Sequence, residues 1–160
     1  MATGTNIEEV DSNGLTCLMV AAAGGQIEVI GKLLDAGASV SATTSYGLTA
    51  LHLAASTLQA GAAAKLLQRG APPNLQDKEG KTPLHFAILA DQRRQEVTDV
   101  GYQMVAVLVR GEANTGLEDM RGKTPWHMWF AAGHGDIRQP GSHSFASNYI
   151  QRRVPIRAEQ

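Results

Sequence analysis

The sequence predicts an all-α solenoid of stacked helix-turn-helix units joined by β-turn arms, and three observations lead there. Gly14, Gly47, Gly80 and Gly122 stand 33, 33 and 42 residues apart, and each opens a copy of one pattern: GLTCLMVA, GLTALHLA, GKTPLHFA and GKTPWHMW. The threonine two residues after each glycine, followed in two copies by proline, is a helix-start signal. Its hydroxyl accepts a backbone N–H, and proline at the first helical position gives up only an N–H that has no partner there. A second glycine follows 23 residues after the first in the first two copies, Gly37 in LLDAGASV and Gly70 in LLQRGAPPN, where a left-handed residue ends a second helix. The third copy has Gly111 in VLVRGEAN.

The first helix of each unit is expected to start near Thr16, Thr49, Thr82 and Thr124. Leu84, Ala87 and Ile88 then share one helical face, and the small alanine lets a neighbouring helix approach. The second helices read IEVIGKLL from Ile27, AAAKLL from Ala62 and MVAVLV from Met104. Between the second glycine and the next threonine, a polar stretch such as APPNLQDKEG forms the arm, stiffened here by Pro72-Pro73. The third unit is enlarged in LADQRRQEVTDVGYQMVAVLV, with eight extra residues before Gly111. Val97, Val100, Met104 and Leu108 keep helical spacing, so the insertion reads as added turns at the front of the second helix, capped by Asp91 or Thr98; a flexible loop is the alternative. The fourth unit breaks at Pro140-Gly141 and resumes as FASNYIQRR from Phe145. The expected layout is a lead-in over 1–10 and a repeat domain over 11–160, with units at 11–43, 44–76, 77–118 and 119–160.

Thr82, Pro83, Leu84, His85 and Ala87 reproduce the T-P-L-H-x-A signature of a 33-residue repeat, and Thr49, Leu51, His52 and Ala54 nearly do. On these residues the chain resembles the ankyrin repeat family over roughly residues 11 to 137. The first copy departs with Cys17 for proline and Met19 for histidine, the fourth with Trp126 for leucine and Trp129 for alanine. The resemblance implies a protein-interaction module without intrinsic catalysis, whose partner meets a concave surface of arms and first helices. His52, His85 and His127 share one repeat position and are expected to tie neighbouring turns together through imidazole hydrogen bonds.

Other functions are weakened by the same residues. A phosphate-cradling G-x-x-x-x-G-K-[ST] loop needs a glycine where Leu75 and Leu117 stand before Gly80-Lys81 and Gly122-Lys123. Fourteen Lys and Arg against 15 Asp and Glu give no basic field for nucleic acid. No apolar run approaches the ~18 residues of a membrane span, and the single Cys17 cannot form an internal disulfide. An intracellular (cytoplasmic or nuclear), monomeric protein without cofactor or metal is expected. His134, Asp136 and His143 form a metal candidate that lacks the i,i+4 pairing of zinc helices.

The partner-binding candidates are the arm residues Ser45, Tyr46, Leu48, Lys78, Glu79, Lys81, Met120, Arg121 and Lys123, with Ser56, Thr57, Leu89 and Ala90 on the groove side. A second candidate patch is Arg93, Arg94, Arg138 and His143, on the edge where both enlargements should project. Trp126 and Trp129 are expected to fill space in a terminal unit, with an exposed recognition anchor as the alternative. The first unit, apolar in LTCLMVAAAGG, lacks the polar outer face of a capping repeat, which leaves room for a targeting or regulatory fragment of a larger protein, possibly an enzyme.

Overall fold

The threonines start helices where the pattern says they should. The computed structural model describes residues 6–93 and 99–131. Within them the helices are α1 (Cys17–Ala23), α2 (Ile27–Asp35), α3 (Ala50–Ser56), α4 (Ala60–Gln68), α5 (Pro83–Gln92), α6 (Asp99–Arg110) and α7 (Pro125–Ala131). Among the described residues there is no strand, only an isolated antiparallel bridge between Val10 and Thr16. Thr16, Thr49 and Thr82 are the N-caps of α1, α3 and α5, all in extended backbone, and Thr124 immediately precedes α7.

The helices form two rows. The first helices pack in series, α1 on α3, α3 on α5 and α5 on α7, and the second helices α2, α4 and α6 form the other row. The core between them is aliphatic and small: Leu18, Leu51 and Leu84 recur at one repeat position, with Leu66 and Leu108 opposite, and Ala54, Ala63 and Ala87 fill the close contacts. Each buried leucine contributes roughly 1.5–3 kcal/mol by leaving water. The alanines let the helix rows approach without displacing those leucines.

Enlargement of the third unit lengthens both of its helices. α5 has 10 residues against 7 in α1 and α3, and α6 has 12 against 9 in α2 and α4. The expected added turns in front of Met104 are present from Asp99 onward, but three residues also extend the first helix. Asp91 lies buried inside α5 rather than ahead of α6 in the chain, and its carboxylate reaches the first turn of α6 at Gly101, where a Cβ would not fit. Thr98 and Val97 lie outside the described residues.

The expected cap glycine is also displaced by one position. Gly37 (φ +95) and Gly70 (φ +85) are left-handed after their helices, whereas in the third unit the left-handed residue is Glu112 (φ 65), with Gly111 one residue earlier. Counted to Glu112, the third unit holds nine extra residues, not eight, and these account for the whole lengthening of the period from 33 to 42. Gly111 is small because the Leu67 side chain occupies the space of its missing Cβ, 2.6 Å away. Leu58 (φ 57) is likewise left-handed at the inter-helix turn where the first unit has Gly25 (φ 68). Burial of the Leu58 side chain offsets a backbone cost of about 1–2 kcal/mol.

Gly47 and Gly80 are constrained twice over. Both are left-handed, and a Cβ on Gly80 would meet the Met120 nitrogen of the next arm at 3.0 Å, while one on Gly70 would meet nothing within 4 Å. Gly80→Ala is expected to cost about 2–4 kcal/mol and Gly70→Ala only about 1–2. Urea unfolding of the two variants checks the difference.

Candidate functional site

Each arm is a tight loop held by its own side chain. Three residues before the leading glycine stand Asp11, Thr44, Asp77 and Asp119, and each oxygen accepts two backbone N–H groups of its own arm. Asp77 Oδ1 accepts from Glu79 at 2.9 Å and Lys81 at 2.8 Å, and Asp119 Oδ1 from Arg121 and Lys123 at 2.9 Å. Bonds from the N–H groups of Leu15 and Asn13 hold the Asp11 carboxyl below its ordinary pKa. Partial burial pushes Asp119 up, and the bonds from Lys123 and Arg121 outweigh it and leave its pKa lowered.

The second, third and fourth arms are joined in one register. Lys78 N–H donates to the Tyr46 carbonyl at 3.0 Å, and Met120 N–H to the Glu79 carbonyl at 2.9 Å. Side chains add to this: Gln76 Nε2 donates to the carbonyls of Gly80 (2.7 Å) and Glu118 (2.9 Å), and Asn74 bridges to Glu112 and Asn114. Behind the arms, His52 and His85 complete the connection. Thr49 N–H donates to His52 Nδ1 at 3.1 Å, which makes Nδ1 an acceptor and leaves the proton on Nε2, facing the Lys81 carbonyl at 3.1 Å. His85 repeats this with Thr82 (3.1 Å) and the Lys123 carbonyl (3.0 Å). The expected tie between neighbouring turns thus runs from a helix cap to the next arm. His127 caps α7 in the same way through Thr124 but is exposed.

Onto this frame the candidate residues fall in two groups. Tyr46 is 68% exposed and Met120 79%, and Ser45, Lys78, Glu79, Arg121 and Lys123 are exposed beside them. Leu48 and Lys81 are half-buried, and Lys81 Nζ is paired with Glu79 Oε2. That bond and charge hold the Glu79 carboxyl below its ordinary pKa. The groove-side residues differ. Ser56 and Thr57 are half-buried and donate their hydroxyls to the Leu53 carbonyl at 2.9 Å, closing the end of α3. Leu89 is half-buried, and Ala90 is buried, because the lengthened α5 carries it into the contact with its neighbours; Ala90 is not a contact residue.

Of the second patch, Arg93 is exposed at the end of α5, while Arg94, Arg138 and His143 lie outside the described residues, as do His134 and Asp136. Among the described residues no three His, Cys, Asp or Glu side chains are grouped as a metal site. Trp129 is buried and meets Tyr102 of α6 edge-on, centroids 5.1 Å apart, so it fills the space beside the enlarged third unit and is not an exposed anchor. Sequence reasoning missed the loop-closing Asp11, Thr44, Asp77 and Asp119, although their fixed spacing to the glycines was a usable signal.

Helix pairs in two rows, with hydrogen-bonded arms along one side, define a helical repeat protein with an exposed arm face. A family model for ankyrin repeats, in three copies, matches residues 1–77 and 40–100. The chain belongs to the ankyrin repeat family, whose members are generally protein-interaction modules and typically non-catalytic. A search of curated proteins finds no match. No helix of the described residues is long and apolar enough to cross a membrane.

Burial pushes the His52 and His85 pKa values below the ordinary 6.5, against the raising effect of the Lys81 and Lys123 carbonyls. As pH falls below 6.5 the unfolded chain takes up these protons first. The stability they contribute is therefore present above pH 6.5 and lost as pH falls through the lower folded-state values. Melting temperature is expected to decline between pH 6.5 and about 5, before carboxylates titrate. In a His52→Gln, His85→Gln variant, less stable at pH 7.5, that slope should be lost.

Proposed function

We propose that the chain binds a protein partner through its arm-and-groove surface, with Ser45, Tyr46, Lys78, Glu79, Met120, Arg121 and Lys123 as the contact strip. One observation carries this: Tyr46 and Met120 keep large apolar side chains in solvent on arms whose backbones are hydrogen-bonded to their neighbours. On a backbone already fixed in the free protein, binding an exposed apolar side chain costs no further backbone ordering and gains the burial of its surface. Leu48 and Lys81 flank the strip from half-buried positions, while Leu89, Ser56 and Thr57 are half-buried toward the other ends of α5 and α3, the two hydroxyls already committed to α3. No catalytic role is assigned to the buried histidines, whose ring nitrogens are both occupied by structural hydrogen bonds.

A second reading, that this is a binding module of a larger protein, is favoured by the outer face of the first unit. Val29 of α2 is 42% exposed, whereas Ala62, at the same repeat position of the second unit, is 1% exposed beneath its predecessor. Cys17 is exposed where Ala50 is buried, and Val20 is exposed beside it. The face thus has the composition of a stacking surface.

Affinity capture with the chain as bait, followed by mass spectrometry, would identify the partner. Tyr46→Ala and Met120→Ala are then each expected to weaken binding by ~2 kcal/mol. Their melting temperatures should stay close to that of the unaltered chain, because neither side chain is part of the core. Unchanged affinity in both variants would remove the arm strip as the binding surface.

A further inference from the structure

The arm strip does not carry its charges evenly. Lys78, Arg121 and Lys123 are exposed and have no ion-pair partner among the described residues. The acids beside them keep their charge but are turned toward other partners. Asp77 and Asp119 each hold two backbone N–H groups of their own arm, and Glu79 is paired with Lys81. Glu118 is the remaining exposed carboxylate at that end of the strip. Tyr46 and Met120 lie among these cations, because Lys78 is bonded to the Tyr46 carbonyl and Met120 directly precedes Arg121.

We infer that the strip takes an acidic, extended protein segment carrying an aromatic or aliphatic side chain. This inference rests on the protein-binding role proposed above and specifies the chemistry of the partner. Carboxylates of the segment meet Lys78, Arg121 and Lys123, which are exposed and in no ion pair among the described residues, and its apolar side chain packs against Tyr46 or Met120. Arginine offers a carboxylate two parallel N–H groups, which favours a planar acid over a diffuse negative field. Nucleic acid fits less well. The chain as a whole carries a net charge of −1, and within the strip Asp77, Glu79, Glu118 and Asp119 balance its four cations, so recognition rests on local pairing with single carboxylates and not on a positive field that would hold a long polyanion.

The test is fluorescence anisotropy with a labelled random copolymer of glutamate and tyrosine. A lysine-tyrosine copolymer and an oligothymidylate of similar length serve as comparators. The unaltered chain is expected to bind the acidic copolymer, and to do so about tenfold more weakly when salt is raised from roughly 0.05 to 0.5 M. A Lys78→Glu, Arg121→Glu, Lys123→Glu variant with an unchanged circular dichroism spectrum should lose binding by about tenfold or more. Tyr46→Ala should lose it several-fold, and Lys32→Glu, on the helix row away from the arms, should lose none. Equal binding of the lysine-tyrosine copolymer or of the oligothymidylate, or undiminished binding by the triple variant, would overturn the inference. If a captured protein partner depends on Tyr46 and Met120 but not on salt or the three cations, the acidic chemistry is wrong and the arm-strip role stands. If it depends on none of them, both are wrong.

Discussion

The bonds from His52 and His85 to the carbonyls of the following arms are the interactions on which the register of the second, third and fourth units depends. A helix cap is local and an arm loop is local, and neither specifies how one unit sits on the next. The imidazole of His52 does both at once, accepting from Thr49 inside its own unit and donating to Lys81 in the next. The ring is planar and its two nitrogens are distinct, so a single tautomer satisfies both ends and other orientations leave a buried polar group without a partner. Because His85 repeats the arrangement toward Lys123, the register of one junction is carried to the following one.

That constraint frees the arm tips. The loop is closed from beneath by Asp or Thr, its backbone is bonded to the next arm, and the glycine is held by both its dihedral angle and its neighbour's proximity. None of these supports involves the side chains at the tip. Tyr46 and Met120 thus remain exposed at little structural cost, while helix positions one turn away are filled by leucine and alanine. Exposed arm tips and core regularity come from the same hydrogen bonds.

The enlarged third unit shows how a tolerant repeat absorbs nine residues. Both helices lengthen, α5 and α6 meet at Gly101, and Tyr102 at the start of α6 finds Trp129 of α7. A tryptophan where other units have alanine is thereby accommodated, because the longer preceding unit supplies surface for it. The arm after the insertion keeps the ordinary register, with Asn114 and Glu118 bonded back to Asn74 and Gln76. The added length is contained within the helix pair and does not propagate to the arms.

The sequence by itself determined the repeat, the helix starts and the histidine ties. Each rests on interactions within a few residues or on a position repeated at a fixed period, and such signals survive without knowledge of the fold. Thr16, Thr49, Thr82 and Pro125 are legible for that reason. The tertiary structure alone decided that Glu112 takes the left-handed position expected of Gly111, that Asp91 is buried, and that Ala90 leaves the groove. Those outcomes depend on how far the longer α5 and α6 run against their neighbours, a distance no local pattern encodes. The division of the arm strip into paired and unpaired charges was also decided in space. Lys78 and Lys81 look alike in sequence, and only the packing of the arm turns one toward Glu79 and leaves the other to solvent.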